Sequence, residues 1–233
     1  MFDPHSIGRF TVITGHYGSG KTNLAINLAL DLAQAHDEVL LVDLDIVNPY
    51  FRSSDYTAML AEHGVRVISP TFAGTTLDTP SLPAAVSGAF DTSGAVIFDV
   101  GGDDVGATAL GRYSREVAAI DHEMLYVINR YRNLTGGPEE AAALLGEIEA
   151  ACHLKATGVV NNSHLKAETT AAIVLDSLPF ARKTASLLGL PLLFTTVPRR
   201  LLKDLPGTPG AAGIVENAYP VEIHVRTPWE DAS

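Results

Sequence analysis

Gly15-His16-Tyr17-Gly18-Ser19-Gly20-Lys21-Thr22 satisfies the pattern G-x-x-x-x-G-K-[ST] at every position. An apolar β-type run, Phe10 to Thr14, precedes it, and a helical pattern from Asn23 to Gln34 follows. Strand, glycine-rich loop and helix in that order form the setting in which the pattern carries meaning. Glycines at 15, 18 and 20 let backbone N–H groups turn inward and approach phosphate oxygens that a Cβ would keep away. The start of the next helix adds unpaired donors and a partial positive charge. The loop with His16, Tyr17 and Ser19, continuing to Asn23, is therefore predicted to hold phosphates. Lys21 extends a mobile charge toward the β- and γ-phosphates, and the Thr22 hydroxyl is suited to Mg²⁺. A tight turn alone is the other reading of the glycines. The stretch predicts a nucleoside triphosphate site.

Working outward, Leu24, Leu28 and Leu32 share one helical face. Val39 to Val42 is a continuous apolar run, the text of a strand buried on both faces of a parallel sheet. Ala95 to Phe98 is another such buried run, and strands are also read at Val65 to Ser69, Met124 to Ile128, Ala156 to Val160 and Leu192 to Val197. Val221 to Val225 alternates and reads as an edge strand. Helices are predicted at Asp55 to Glu62, Leu82 to Phe90, Val105 to Ile120, Pro138 to Cys152 and Lys166 to Leu188, the last interrupted at Pro179. Pro138 with Glu139 and Glu140 marks a helix start. The alternation predicts an α/β fold: a mostly parallel sheet with helices on both faces, one three-layer domain over residues 1–233. The stretch 70–94, with Pro70, Pro80 and Pro83, reads as an insertion or lid packed on that domain.

The chain has 233 residues, 46% hydrophobic and 18% charged, ordinary values for a folded domain. A formal charge of -11 argues against non-specific nucleic-acid binding. Arg130 with Arg132, and Arg199 with Arg200 and Lys203, are the only seeds of a basic patch. Cys152 is the sole cysteine, which excludes an internal disulfide and a C-x-x-C metal or cluster site. His63, His122, His153 and His164 share no metal-type spacing and read as surface or boundary residues. No leader pattern, membrane-spanning run or amphipathic membrane anchor is visible, so a cytoplasmic protein is expected.

Strand ends carry the remaining chemistry. Asp43 and Asp45 close the Val39 run, and Asp99 follows Ala95 to Phe98. A Mg·ATP site needs a carboxylate near the metal and an acceptor that orients water. Helix capping or loop solvation is the alternative for Asp43 and Asp45. Gly101 and Gly102 after Asp99 allow a backbone N–H near the γ-phosphate. Asp103 and Asp104 read as loop acids or a helix cap.

The segments GHYGSGKT, LLVDLDIVNPYF, VIFDVGG, GVVNNS and TTVPRR, in this order, resemble the MinD/ParA-like ATPases of the P-loop class. That branch also includes the nitrogenase iron protein and cobyrinic-acid synthase ATPases. The resemblance spans about Phe10 to Leu205. It implies ATP/ADP with Mg²⁺ as ligands and Lys21, Asp45 and Asp99 as catalytic residues, Asp45 orienting the hydrolytic water. It implies Thr22, Asp43 and Asp99 around the metal, with Gly102 as the second switch glycine. Asn162 resembles the adenine-reading asparagine, Asn161 being the alternative register, and Pro198 with Arg199 resembles a second base-binding segment. The N-K-x-D guanine pattern is absent, which favours ATP. The family's lysine after the first loop glycine is replaced by His16, read either as a loop residue or as a substitute cation. A homodimer across the nucleotide is thus left open, and the missing cluster cysteines argue against electron transfer.

Asn48-Pro49-Tyr50-Phe51-Arg52 is read either as a partner-docking switch segment or as aromatics packed under the loop. Three functions follow: a nucleotide-switch ATPase acting on a protein partner, a small-molecule kinase or ligase of the dethiobiotin-synthetase or cobyrinic-acid-amidase type, and a nucleotide-gated module with negligible catalysis.

Overall fold

The computed structural model describes residues 1–45, 53–69, 84–102, 104–133, 135–203, 205 and 217–225. The Asn48 to Arg52 stretch, Pro70 to Pro83 and Asp103 lie outside them. Eight strands form one sheet: β1 (Phe10–Thr14), β2 (Val39–Asp43), β3 (Val65–Ile68), β4 (Ala95–Asp99), β5 (Glu123–Ile128), β6 (Gly158–Asn161), β7 (Leu192–Pro198) and β8 (Ala218–Val221). Their order is β3-β2-β4-β1-β5-β6-β7-β8, and every pairing is parallel.

Period-two alternation divides the apolar runs between two cores. Phe10, Val12, Leu40, Val42, Val96, Phe98, Met124 and Tyr126 face one side. Ile13, Val39, Leu41, Ile97, Leu125 and Val127 face the other. Each face is covered by helices, as an all-parallel sheet requires. Helix α1 (Lys21–Leu32) lays Leu24, Leu28 and Leu32 on the second core. On the first lie α4 (Asp104–Gly111), α6 (Pro138–Cys152) and α7 (Ala171–Leu188), with α6 beside both others. The short helices are α2 (Thr57–Glu62), α3 (Ala84–Gly88) and α5 (Ser114–Ala118).

Three elements differ from the sequence expectation. The helix predicted over Val105 to Ile120 is two helices, α4 and α5. Its break lies at Arg112 and Tyr113, where the Tyr113 ring packs 5.9 Å from Phe90. Helix α7 runs unbroken through Pro179. Its flanks are held by buried Val174, Leu178, Phe180 and Ala181, and the Ser177 hydroxyl donates to the Val174 carbonyl at 2.7 Å. The last strand is Ala218–Val221 rather than Val221 to Val225. It does lie at the sheet edge. Beyond Val221 the backbone N–H groups of Glu222, His224 and Val225 bond side chains of α1 instead of a strand.

Candidate functional site

The C-terminal ends of the strands meet at a cleft of about 300 Å³, where ligands of open parallel sheets bind. One wall is the loop between β1 and α1. Gly15, Gly18 and Gly20 hold φ of 147°, 74° and 87°, values at which a Cβ is strained. A Cβ on Gly15 would also lie 2.3 Å from the Val127 carbonyl oxygen, and one on Gly20 2.4 Å from the Asn162 amide nitrogen. The Ser19 N–H donates to the His16 carbonyl at 3.1 Å and closes the turn. No side chain caps the start of α1, so its first N–H groups are the donors an anion would meet. Lys21 is buried, and its ammonium donates across the loop to the His16 carbonyl at 3.1 Å.

His16 is half-buried. Burial first, then the Lys21 charge, holds its pKa below the ordinary histidine value. That direction weighs toward the loop-residue reading of His16. Tyr17, 56% exposed, stands at the rim.

Behind Lys21 two carboxylates face each other, because β2 and β4 pair with Asp43 opposite Asp99. Both are buried. Asp43 Oδ1 accepts the Asp45 N–H at 3.0 Å and Oδ2 the Ser54 N–H at 3.2 Å. Asp99 is hydrogen-bonded by Thr22, yet its Oδ2 is buried without a partner, an arrangement that costs free energy unless something completes it. Burial, then the Asp43 charge, pushes Asp99 up to about 7 despite Lys21 and Thr22. Asp43 is also raised, mainly by burial. Two such groups disfavour being ionised together unless a cation joins them.

Thr22, Asp43 and Asp99 thus fit Mg²⁺, a hard cation commonly held by one or two carboxylates plus substrate phosphates. Among the described residues no group of three or more His, Cys, Asp or Glu side chains could hold a metal alone. Asp45 borders the cleft, and its Oδ1 would lie 3.2 Å from a Cβ on Gly101. A Cβ on Gly102 would lie 2.5 Å from the Tyr17 nitrogen and 2.7 Å from Lys21 Nζ. Gly102 is what lets the loop after β4 rest on the phosphate-type loop.

The other end of the cleft is more apolar, lined by Pro198, Val221, Ile223 and Val225. Asn162 sits between the two ends. Its Nδ2 donates to the Ser19 carbonyl at 2.7 Å, and its Oδ1 accepts the Thr196 hydroxyl at 2.5 Å. One N–H and one lone pair of that amide remain unspent. Asn161 does not reach the cleft. It is fully buried, donating to the Ser177 hydroxyl at 2.9 Å and accepting from that of Ser163 at 2.7 Å. Arg199 also points elsewhere, 3.2 Å from Glu222 beside a shallow hollow formed with Met1, Phe2 and Asp31. The Asn23 side chain borders the cleft but serves its wall: it donates to the Glu222 carbonyl at 2.9 Å and accepts from His224 and Val225 at 2.8 and 3.2 Å. Asn27 exchanges two further bonds with Glu222, at 2.9 and 2.8 Å.

Three basic residues enter the cleft that the sequence reading left out of the site. Arg132 Nε donates to the Gly18 carbonyl at 2.6 Å. Lys166 reaches the cleft from a residue with φ of 52°. His164 lines it too, correcting its reading as an ordinary boundary residue. Its Nδ1 accepts the Lys166 N–H at 3.1 Å, which leaves the ring proton on Nε2. Burial, then Arg132 and Lys166, lowers its pKa to about 4. The available signal was position: Arg132 and His164 both follow strand C-termini, like every other motif.

The profile of the CobQ/CobB/MinD/ParA nucleotide-binding domain matches residues 10–173. Among solved structures, the cell division protein FtsY of Thermotoga maritima superposes with a TM-score of 0.57 at 21% identity, over 82% of this chain and 63% of that one. The signal recognition particle 54 kDa protein of Aeropyrum pernix K1, in complex with GDP, gives 0.55 at 19%, over 83% and 42%. FtsY of Mycoplasma mycoides gives 0.54 at 16%, over 84% and 62%. At these identities the likeness is one of fold, and the chain spans less than two thirds of each of those proteins. No curated protein sequence matches the chain.

Proposed function

Because the chain belongs to the CobQ/CobB/MinD/ParA nucleotide-binding family, we propose that it is a Mg-dependent ATPase that works as a nucleotide switch. One observation carries the reading: a buried, in-register Asp43–Asp99 pair with an unpartnered Asp99 oxygen, beside Lys21 and Thr22 at the foot of an uncapped helix. Mg²⁺, when bound there, supplies charge neutralisation to the β- and γ-phosphates. The chain's own parts do the rest. The N–H groups from His16 to Thr22 and the Lys21 ammonium bind and orient the phosphates. Asp45, at the cleft and next to the loop after β4, holds the water that attacks the γ-phosphate. Gly102 brings a backbone N–H toward the same phosphate, so the segments after β2 and β4 respond to its presence.

Adenine is favoured by Asn162, whose spare N–H and lone pair match the donor–acceptor edge of that base, and by the missing N-K-x-D pattern. Val221, Ile223, Val225 and Pro198 offer the base an apolar seat. The test is direct. ATP should compete with a fluorescent adenine nucleotide far better than GTP does, in a Mg²⁺-dependent manner. Asp45→Ala should retain ATP binding and lose phosphate release. Equal competition by GTP would remove the adenine assignment, and unchanged turnover in Asp45→Ala would remove the water-orienting role. ADP formation only in the presence of a second substrate, with a phosphorylated product, would move the protein to the kinase or ligase class.

A further inference from the structure

The arginines in and around the cleft are unevenly committed. Arg130, two residues before Arg132, pairs with Asp176 at 2.9 Å, and Arg199 pairs with Glu222 at 3.2 Å. Arg132 meets no carboxylate among the described residues. Its one hydrogen bond there is from Nε to the Gly18 carbonyl at 2.6 Å, inside the glycine-rich loop itself. The Arg132 side chain packs so close that a Cβ on Gly18 would lie 3.3 Å from Nε and 3.6 Å from Cζ. Arg132 lines the cleft, and its guanidinium is already fixed beside the loop by Nε. A planar fork held in this way loses little freedom on meeting phosphate oxygens. The loop's own second residue is a histidine, His16, whose pKa is held below the ordinary value by burial and by Lys21, so Lys21 is the loop's one permanent cation.

We infer that Arg132 contacts the triphosphate from within its own subunit and stabilises the charge that develops on the β–γ bridging oxygen. The inference rests on the ATPase reading above. In hydrolysis, the water oxygen bonds to the γ-phosphorus as the bond from that phosphorus to the bridging oxygen breaks. The electron pair of the broken bond stays on the bridging oxygen, now terminal on ADP, and the water proton passes to the released phosphate. An arginine supplied in this position acts where charge accumulates in the transition state. Because Arg132 is in cis, a single subunit holds the full set of cations, and turnover needs no second copy.

The test uses the full chain and its Arg132→Ala and Arg132→Lys variants, with Mg·ATP hydrolysis, ADP affinity and capture of ADP·aluminium fluoride as readouts. Arg132→Ala should lose turnover by about a hundredfold or more, while ADP affinity changes only a few-fold. Capture of ADP·aluminium fluoride, a mimic of the transferring phosphoryl group, should be lost in parallel with turnover, and this readout decides even if hydrolysis by the parent chain is too slow to follow. Arg132→Lys keeps the charge without the Nε anchor and should recover only part of the loss. The parent chain's turnover per subunit should not vary with protein concentration. The inference is overturned by a folded Arg132→Ala with parental turnover and fluoride capture. It is equally overturned by ADP affinity falling as steeply as turnover, which would assign Arg132 to shaping the loop. Turnover per subunit that rises with concentration would place the decisive cation in a second copy. A parent chain that binds neither ATP nor ADP would instead defeat the nucleotide reading itself.

Discussion

Replacing His164 by Gln should flatten the acid side of the protein's stability profile. In the folded chain the His164 pKa is lowered to about 4, by burial first and by Arg132 and Lys166 next; unfolded, it returns to about 6.5. The unfolded chain therefore takes up a proton as pH falls through about 6.5, and the folded chain does so only near 4. Stability is unaffected above that window and drains away as pH falls across it. Between about pH 7 and about pH 5 the linkage relation gives a loss of about 2 kcal/mol. Part of the ring opens on the cleft, so water trims this to about 1–2 kcal/mol. Gln can donate to the cleft as Nε2–H does, but it cannot acquire the charge. Urea unfolding of both proteins at several pH values gives the result as a difference of slopes, which cancels the carboxylates and other histidines common to both. Parallel profiles within about 0.5 kcal/mol would refute the reasoning, as would an NMR titration that places His164 near its ordinary value.

Two further outcomes test other parts of the site. Asn27→Ala removes both bonds to Glu222 and leaves the Glu222 N–H to find water, its carbonyl keeping only the Asn23 amide; a loss of about 1–3 kcal/mol by urea unfolding is expected, with weaker adenine-nucleotide binding by titration. Unchanged nucleotide affinity would show that the 221–225 wall does not seat the base. Gly102→Ala forces a methyl against the Tyr17 nitrogen and Lys21 Nζ, so ATP turnover should fall by at least about tenfold; parental turnover would refute the close approach of the two loops.

The fold was readable because the residues that define it are local. An unbroken run such as Val39-Leu40-Leu41-Val42 has few uses other than a strand covered on both faces, and Pro138 with two glutamates marks a helix start without reference to anything distant. Pro179 misled for the same reason in reverse: its local preference yields to packing on both flanks of α7. The glycine-rich loop and its carboxylates were visible as types and spacings. Their consequences were not, since the orphaned oxygen of Asp99 depends on which strands become neighbours. Arg132 and His164 escaped because their position after strand C-termini was the only local signal they gave; the order β1-β5-β6 is what brings their loops beside Gly18 and Gly20. Arg199 was drawn in by analogy of position, and its actual partner Glu222 lies on a segment whose path the alternating pattern did not reveal.

Asn23 and Asn27 hold a segment about 200 residues further along the chain. Chains emerge from the ribosome N-terminus first. The glycine-rich loop and both buried aspartates are therefore synthesised long before Ile223 and Val225 arrive to close the opposite wall. A nascent chain carries the glycine-rich half of the cleft without its apolar half, and the cleft is complete only when both are out.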